Sequence, residues 1–108
     1  MAGQYVVVLV ACGSVREARR LSQALVGKRL AACISITLSP VRSVYWWKGK
    51  VQTATEVLML VKTTRKKFGA LEKEIRRLHS YETPEIVAVP IVAGSKGYLK
   101  WLQESVKP

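Results

Sequence analysis

The chain has 108 residues, 49% of them hydrophobic, which suffices for one packed core over residues 1–108 and excludes disorder driven by composition. Val6 to Cys12 is a strongly apolar run far short of the ~20 residues that span a bilayer, and two cysteines without Cys-x-x-Cys spacing exclude a secreted disulfide scaffold. Eighteen Lys and Arg against seven carboxylates, all Glu, give a formal net charge of +11, which attracts polyanions and disfavours cation sites unless they are locally acidic.

The opening residues carry no basic patch ahead of an apolar core, so we expect no export signal and a reducing, cytoplasmic compartment. Gln4 to Ala11 reads as a central strand, because Val6-Val7-Val8-Leu9-Val10 is apolar on both faces. Gly13 breaks it, and Ser14-Val15-Arg16-Glu17 has the spacing of a capping box, in which serine and glutamate each reach a free amide at a helix start. Val15, Ala18, Leu21 and Leu25 then recur at helical spacing to about Gly27 or Lys28. Ala31 to Trp47 is strand-like, with Ile34, Ile36 and Leu38 alternating against Cys33, Ser35 and Thr37, and Ser39-Pro40 interrupts it. Lys48-Gly49 is a tight turn, and a return strand runs from Lys50 to about Lys62.

A second helix is expected from Thr64 or Arg65 to about His79, with Phe68, Leu71, Ile75 and Leu78 on one stripe and Glu72 placed to pair with Arg76. Glu85 to Val92 reads as a further strand, with Pro90 marking an edge or a bulge. Gly94-Ser95 opens a last helix, with Tyr98, Leu99, Leu102 and Val106 expected on its buried side. The order β-α-β-β-α-β plus a C-terminal helix is the split βαβ, ferredoxin-like pattern of the α+β class, an antiparallel sheet with a long hairpin and helices over one face. The uncovered face and the Tyr45-Trp46-Trp47 arm predict a homo-oligomer, since apolar strand surface left in water is costly.

Catalysis finds little support: the single histidine excludes sites that need several imidazoles within one chain, and no phosphate-cradling glycine loop is present. His79, Glu82 and Glu85 lie close together around a helix end, and nitrogen plus carboxylate oxygen is a donor set for copper or zinc. The same His79 could instead bond the last helix carbonyls, and the glutamates could answer nearby cations. Nucleic acid is not expected as a partner: neither Val6-Val7-Val8-Leu9-Val10 nor Val57-Leu58-Met59-Leu60-Val61 offers an aromatic for base stacking, which leaves only the net charge in its favour. No membrane partner is expected.

Leu30-Ala31-Ala32-Cys33, Ser43-Val44-Tyr45-Trp46-Trp47-Lys48-Gly49-Lys50-Val51, Glu56 to Thr63, Leu78-His79-Ser80-Tyr81-Glu82-Thr83-Pro84-Glu85-Ile86 and Tyr98-Leu99-Lys100-Trp101-Leu102 occur in the order found in the CutA family. The sequence therefore resembles the divalent-cation tolerance proteins. That resemblance implies ferredoxin-like subunits joined as a homotrimer through the hairpin strands, a link to copper and other divalent metal ions, and no enzymatic activity. It also implies candidate copper ligands at positions held here by Val10, Leu78 and His79, of which His79 alone is a ligating residue. Ser80 replaces a proline common in the family, and Ser35 an asparagine. A likeness to PII-type signalling proteins supplies the alternative expectation, a trimeric scaffold taking an anionic effector in intersubunit clefts.

Overall fold

The computed structural model describes residues 4–107. Its elements are β1 (Tyr5–Cys12), α1 (Val15–Gly27), β2 (Cys33–Ile36), β3 (Val41–Trp47), β4 (Lys50–Thr64), a 3-10 turn (Arg65–Lys67), α2 (Phe68–Leu78), β5 (Ile86–Pro90) and α3 (Lys96–Ser105). Hydrogen bonding orders the strands β2-β4-β1-β5, all antiparallel, with β3 paired to β4 beyond β2. This is the ferredoxin-like order, with the second strand split in two.

Proline has no N–H to give to a ladder, so Ser39-Pro40 ends β2 and frees β3 to leave the body of the sheet as an arm. Among the described residues only β4 bridges the two regions. Its second half pairs β1 on one edge, placing Val61 opposite Val8, and β2 on the other, placing Val61 opposite Ile34. Its first half pairs β3 alone, from Glu56 opposite Val41 to Lys50 opposite Trp47. The arm turns at Lys48 (φ 51°) and Gly49 (φ 77°), two consecutive left-handed residues as in a type I′ hairpin.

The core lies between the sheet and the two helices on its covered face. Val6, Val8, Val10 and Cys12 of β1 alternate with less buried neighbours, and they meet Val57, Met59 and Val61 of β4. Ala18, Leu21 and Leu25 of α1 and Leu71 and Ile75 of α2 close over them. Each buried aliphatic side chain is worth ~1.5–3 kcal/mol in transfer free energy, the main drive for this face. The serine half of the capping box forms as its spacing predicts, Ser14 Oγ accepting from the Glu17 N–H at 3.1 Å, whereas Glu17 Oε1 reaches one residue past the cap and accepts from the Gly13 N–H at 3.4 Å.

Two local expectations are corrected. Tyr98 is 40% exposed, because α3 touches the body through Leu102 and Val106, which rest on Ala32 and Tyr5. The carboxylate that pairs on α2 is Glu74, bound by Arg77 at 2.7 Å and by Lys28 at the end of α1, rather than Glu72 with Arg76. Glu74 faces α1 and so meets two cations at once. On the other sheet face Val87 and Val89 stay exposed, and on the arm Val44 and Trp46 are 65% and 74% exposed.

Candidate functional site

Three elements converge where β1 ends, α1 begins and α2 stops. The extended backbone at His79 (ψ 143°) ends α2 and turns the imidazole inward, and its side chain is fully enclosed. A carbonyl can only accept and an amide N–H can only donate, so the contacts fix the tautomer. His79 Nε2–H donates to the Ala11 carbonyl at 2.8 Å, and Nδ1 accepts from the Tyr81 N–H at 3.0 Å. Both ring nitrogens are therefore engaged. Glu17 completes the junction, accepting from the Ser80 N–H at 2.8 Å with its Oε2 3.8 Å from His79 Nδ1. Burial would raise the Glu17 carboxyl, but hydrogen bonds from Ser80, side chain first and then backbone amide, and from the Gly13 amide outweigh it and hold it below the usual carboxylate range.

Cys12 shares this junction. Its sulfur, Glu17 and His79 place one donor atom each within 4.8 Å of one another. The chemistry of that trio is closed, however. The Cys12 thiol donates to Met59 Sδ at 3.4 Å, and burial, then Glu17 and Glu56, push it up to about 12. A metal here would have to strip a proton from that thiol and break a bond to the imidazole. The trio is a clasp joining the 79–81 loop to β1 and α1. Of the remaining positions implied by the resemblance, Val10 lies wholly in the core and Leu78 packs against it.

Outside the clasp, the same loop and the root of the arm enclose a cleft of about 710 Å³. Glu56 of β4 and Glu82 and Glu85 of the loop line it, with Tyr45 and Trp47 of β3 and the Tyr81 ring. Glu56 is buried, and its Oε2 accepts from the Tyr81 hydroxyl at 2.9 Å. Burial and then the Glu56 carboxylate raise the Tyr81 phenol, so it stays a hydrogen-bond donor at neutral pH. Glu82 and Glu85 are exposed at the rim.

The structure thus brings Glu82 and Glu85 into one cleft and places His79 behind it, linked through Tyr81. Sequence reasoning missed Glu56, Tyr81 and Glu17. Glu56 and Tyr81 both stand inside the motif segments, which was the available signal.

The sequence profile described as CutA1 divalent ion tolerance protein matches residues 6–105. A divalent-cation tolerance protein CutA of Archaeoglobus fulgidus is 42% identical over 93% of this chain and 96% of its own length. Its Thermus thermophilus counterpart is 46% identical over 92% and 95%. The chloroplastic CutA 1 of Oryza sativa is 38% identical, and this chain spans 57% of its length. The solved structure of the Archaeoglobus protein, there named a periplasmic divalent cation tolerance protein, superposes with a TM-score of 0.91 over 95% of this chain and 99% of that one. The Thermus structure gives 0.90 at 44% identity, over 94% and 97%.

Proposed function

The chain belongs to the CutA1 family of divalent ion tolerance proteins, and on that premise we propose that it is a cytoplasmic homotrimer that binds divalent cations, copper among them, in a tolerance role without catalysis. One observation carries the cation reading. A chain of net charge +11 places three of its seven carboxylates, Glu56, Glu82 and Glu85, around a single cleft. That local reversal of sign attracts cations and repels the anionic effector of the PII-like alternative. Glu82 and Glu85 supply the reachable oxygens. His79 joins them only by releasing the Tyr81 amide, so a wholly oxygen set forms first, and such a set holds copper weakly.

Two features favour assembly. Residues 50–56 of β4 pair β3 on one edge and leave the other without a strand partner among the described residues, beside the exposed Val44 and Trp46. A second copy covering this edge and the bare sheet face would hide both. The cytoplasmic assignment is supported by both cysteines being free thiols.

Calorimetric titration with copper(II) and zinc(II) tests the site. Wild type should bind weakly, and Glu82→Gln/Glu85→Gln should lose the heat. Equal heats from the double variant and wild type would remove the cleft from the account, and a loss confined to His79→Ala would move the site to the clasp. Light scattering on a dilute folded sample should return three subunit masses, and the mass of one would overturn the trimer.

A further inference from the structure

The charge of this chain is segregated. Residues 15–29 and 65–79, which build α1, α2 and their ends, hold eleven of the eighteen Lys and Arg but three of the seven Glu, so +8 of the net +11 lies on the helical layer. Within each helix the cations recur three and four residues apart and so share one outward face: Arg16, Arg19 and Arg20 on α1, and Lys73, Arg76 and Arg77 on α2. All six are exposed. The fold sets the two triplets side by side, since Arg20 donates to the Leu78 carbonyl at the end of α2 at 3.2 Å, and Lys28 and Arg77 share Glu74. Arg16, Arg19, Lys73 and Arg76 make no ion pair among the described residues, so no carboxylate neutralises them.

We infer that the outer face of the α1–α2 layer is a docking surface for nucleic acid, contacting the phosphate backbone of a duplex without reading its sequence. Two cationic rows on adjacent helices suit a surface with regularly repeated phosphates, and guanidinium forks, which supply five of the six charges, match phosphate oxygens two at a time. An acidic membrane offers the same charge but also takes up apolar side chains. The large exposed hydrophobics lie elsewhere, on the arm, β5, α3 and the loops holding Leu38 and Val92, with only Val26 on the helical layer, so the layer fits a polar partner better than a lipid surface. The surface is distinct from the sheet, where base stacking has no aromatic to use, and it is independent of the acidic cleft.

Fluorescence anisotropy with a labelled 20-base-pair duplex, from ~50 to ~200 mM KCl, tests it. Wild type should bind with log K falling linearly against log salt, by about 0.9 per phosphate contacted. Arg16→Gln/Arg19→Gln/Arg76→Gln should weaken binding about tenfold or more and lower the slope by about three. Lys96→Gln/Lys100→Gln/Lys107→Gln removes the same charge from α3 and its end, and should leave both nearly unchanged. Equal losses in the two variants would overturn the assignment to this face, as would absence of binding at ~50 mM salt. Phosphatidylserine vesicles form the other arm: if they retain the protein in sedimentation while the duplex does not bind, the partner is lipid and the nucleic-acid inference fails.

Discussion

Replacing His79 by alanine should cost about 3–4 kcal/mol of folding stability, from the partners the ring leaves behind. Ala11 is 3% exposed, so its carbonyl would be left without a donor, at ~1–3 kcal/mol for a buried unsatisfied acceptor. The Tyr81 N–H lies in a partly buried loop and can turn to water, so only the net worth of a bond, ~0.5–1.5 kcal/mol, is lost there. A void where the ring was fully enclosed adds about 1 kcal/mol. In a domain of ~100 residues each kcal/mol moves the melting temperature by ~4–8 °C, so the drop should be about 12–32 °C. Circular dichroism melts at one fixed protein concentration, without metal, measure it. His79→Gln keeps an N–H that can face Ala11 and should recover part of the loss. Both variants melting within about 2 °C of wild type would refute the clasp. If His79 served only as a metal ligand, the metal-free melt would be untouched and only a copper-induced rise would vanish.

Acid should loosen that junction and the ion pairs between α1 and α2: Glu17 is held below its ordinary 4.5 and Glu74 is pulled down to about 2, first by Arg77 and then by Lys28. Carboxyls depressed on folding stabilise fully above their unfolded value and lose that effect as pH falls through the folded one, so the melting temperature should drop from about pH 5 towards pH 2. Glu17→Gln should flatten part of that fall. Gly49→Ala places a Cβ at φ 77° and should cost about 1 kcal/mol, read as an earlier urea midpoint. Under native conditions a thiol reagent should modify Cys33 at once and Cys12 only on unfolding, because Cys12 is buried with its thiol at about 12. Trp46→Glu should shrink the assembly in sedimentation velocity without altering the far-ultraviolet spectrum, since the ring is 74% exposed in one chain.

Local rules read well here, and long-range ones did not. The alternation through Val6, Val8 and Val10, the stripe Leu21 and Leu25, the break at Pro40 and the Lys48-Gly49 turn each depend on residues within a few positions, and each element stands where its pattern places it. Glu17 marks the boundary. Its capping contact three residues back was legible, but its bond to Ser80 joins residues that only the completed fold brings together. The partners of His79 were hidden for the same reason, because backbone groups of Ala11 and Tyr81 carry no sequence signature. Glu82 and Glu85 were found from spacing near the histidine, whereas Glu56 reaches the cleft from another strand. Tyr98 shows how periodicity overreaches: four apolar positions promised a wide stripe on α3, and the sheet offers that helix room for two.

The continuous run of β4 also orders events in time. Its first half meets β3 across a two-residue turn, while its second half must find β1, with Tyr5 opposite Thr64 and Cys12 opposite Val57. Hairpins close in ~1–10 μs, and pairings distant along the chain wait on loop entropy. The arm should therefore zip before any interior exists, displaying its tryptophans on a chain still in search of partners. Refolding yield should consequently decline with concentration well before the native protein itself loses solubility.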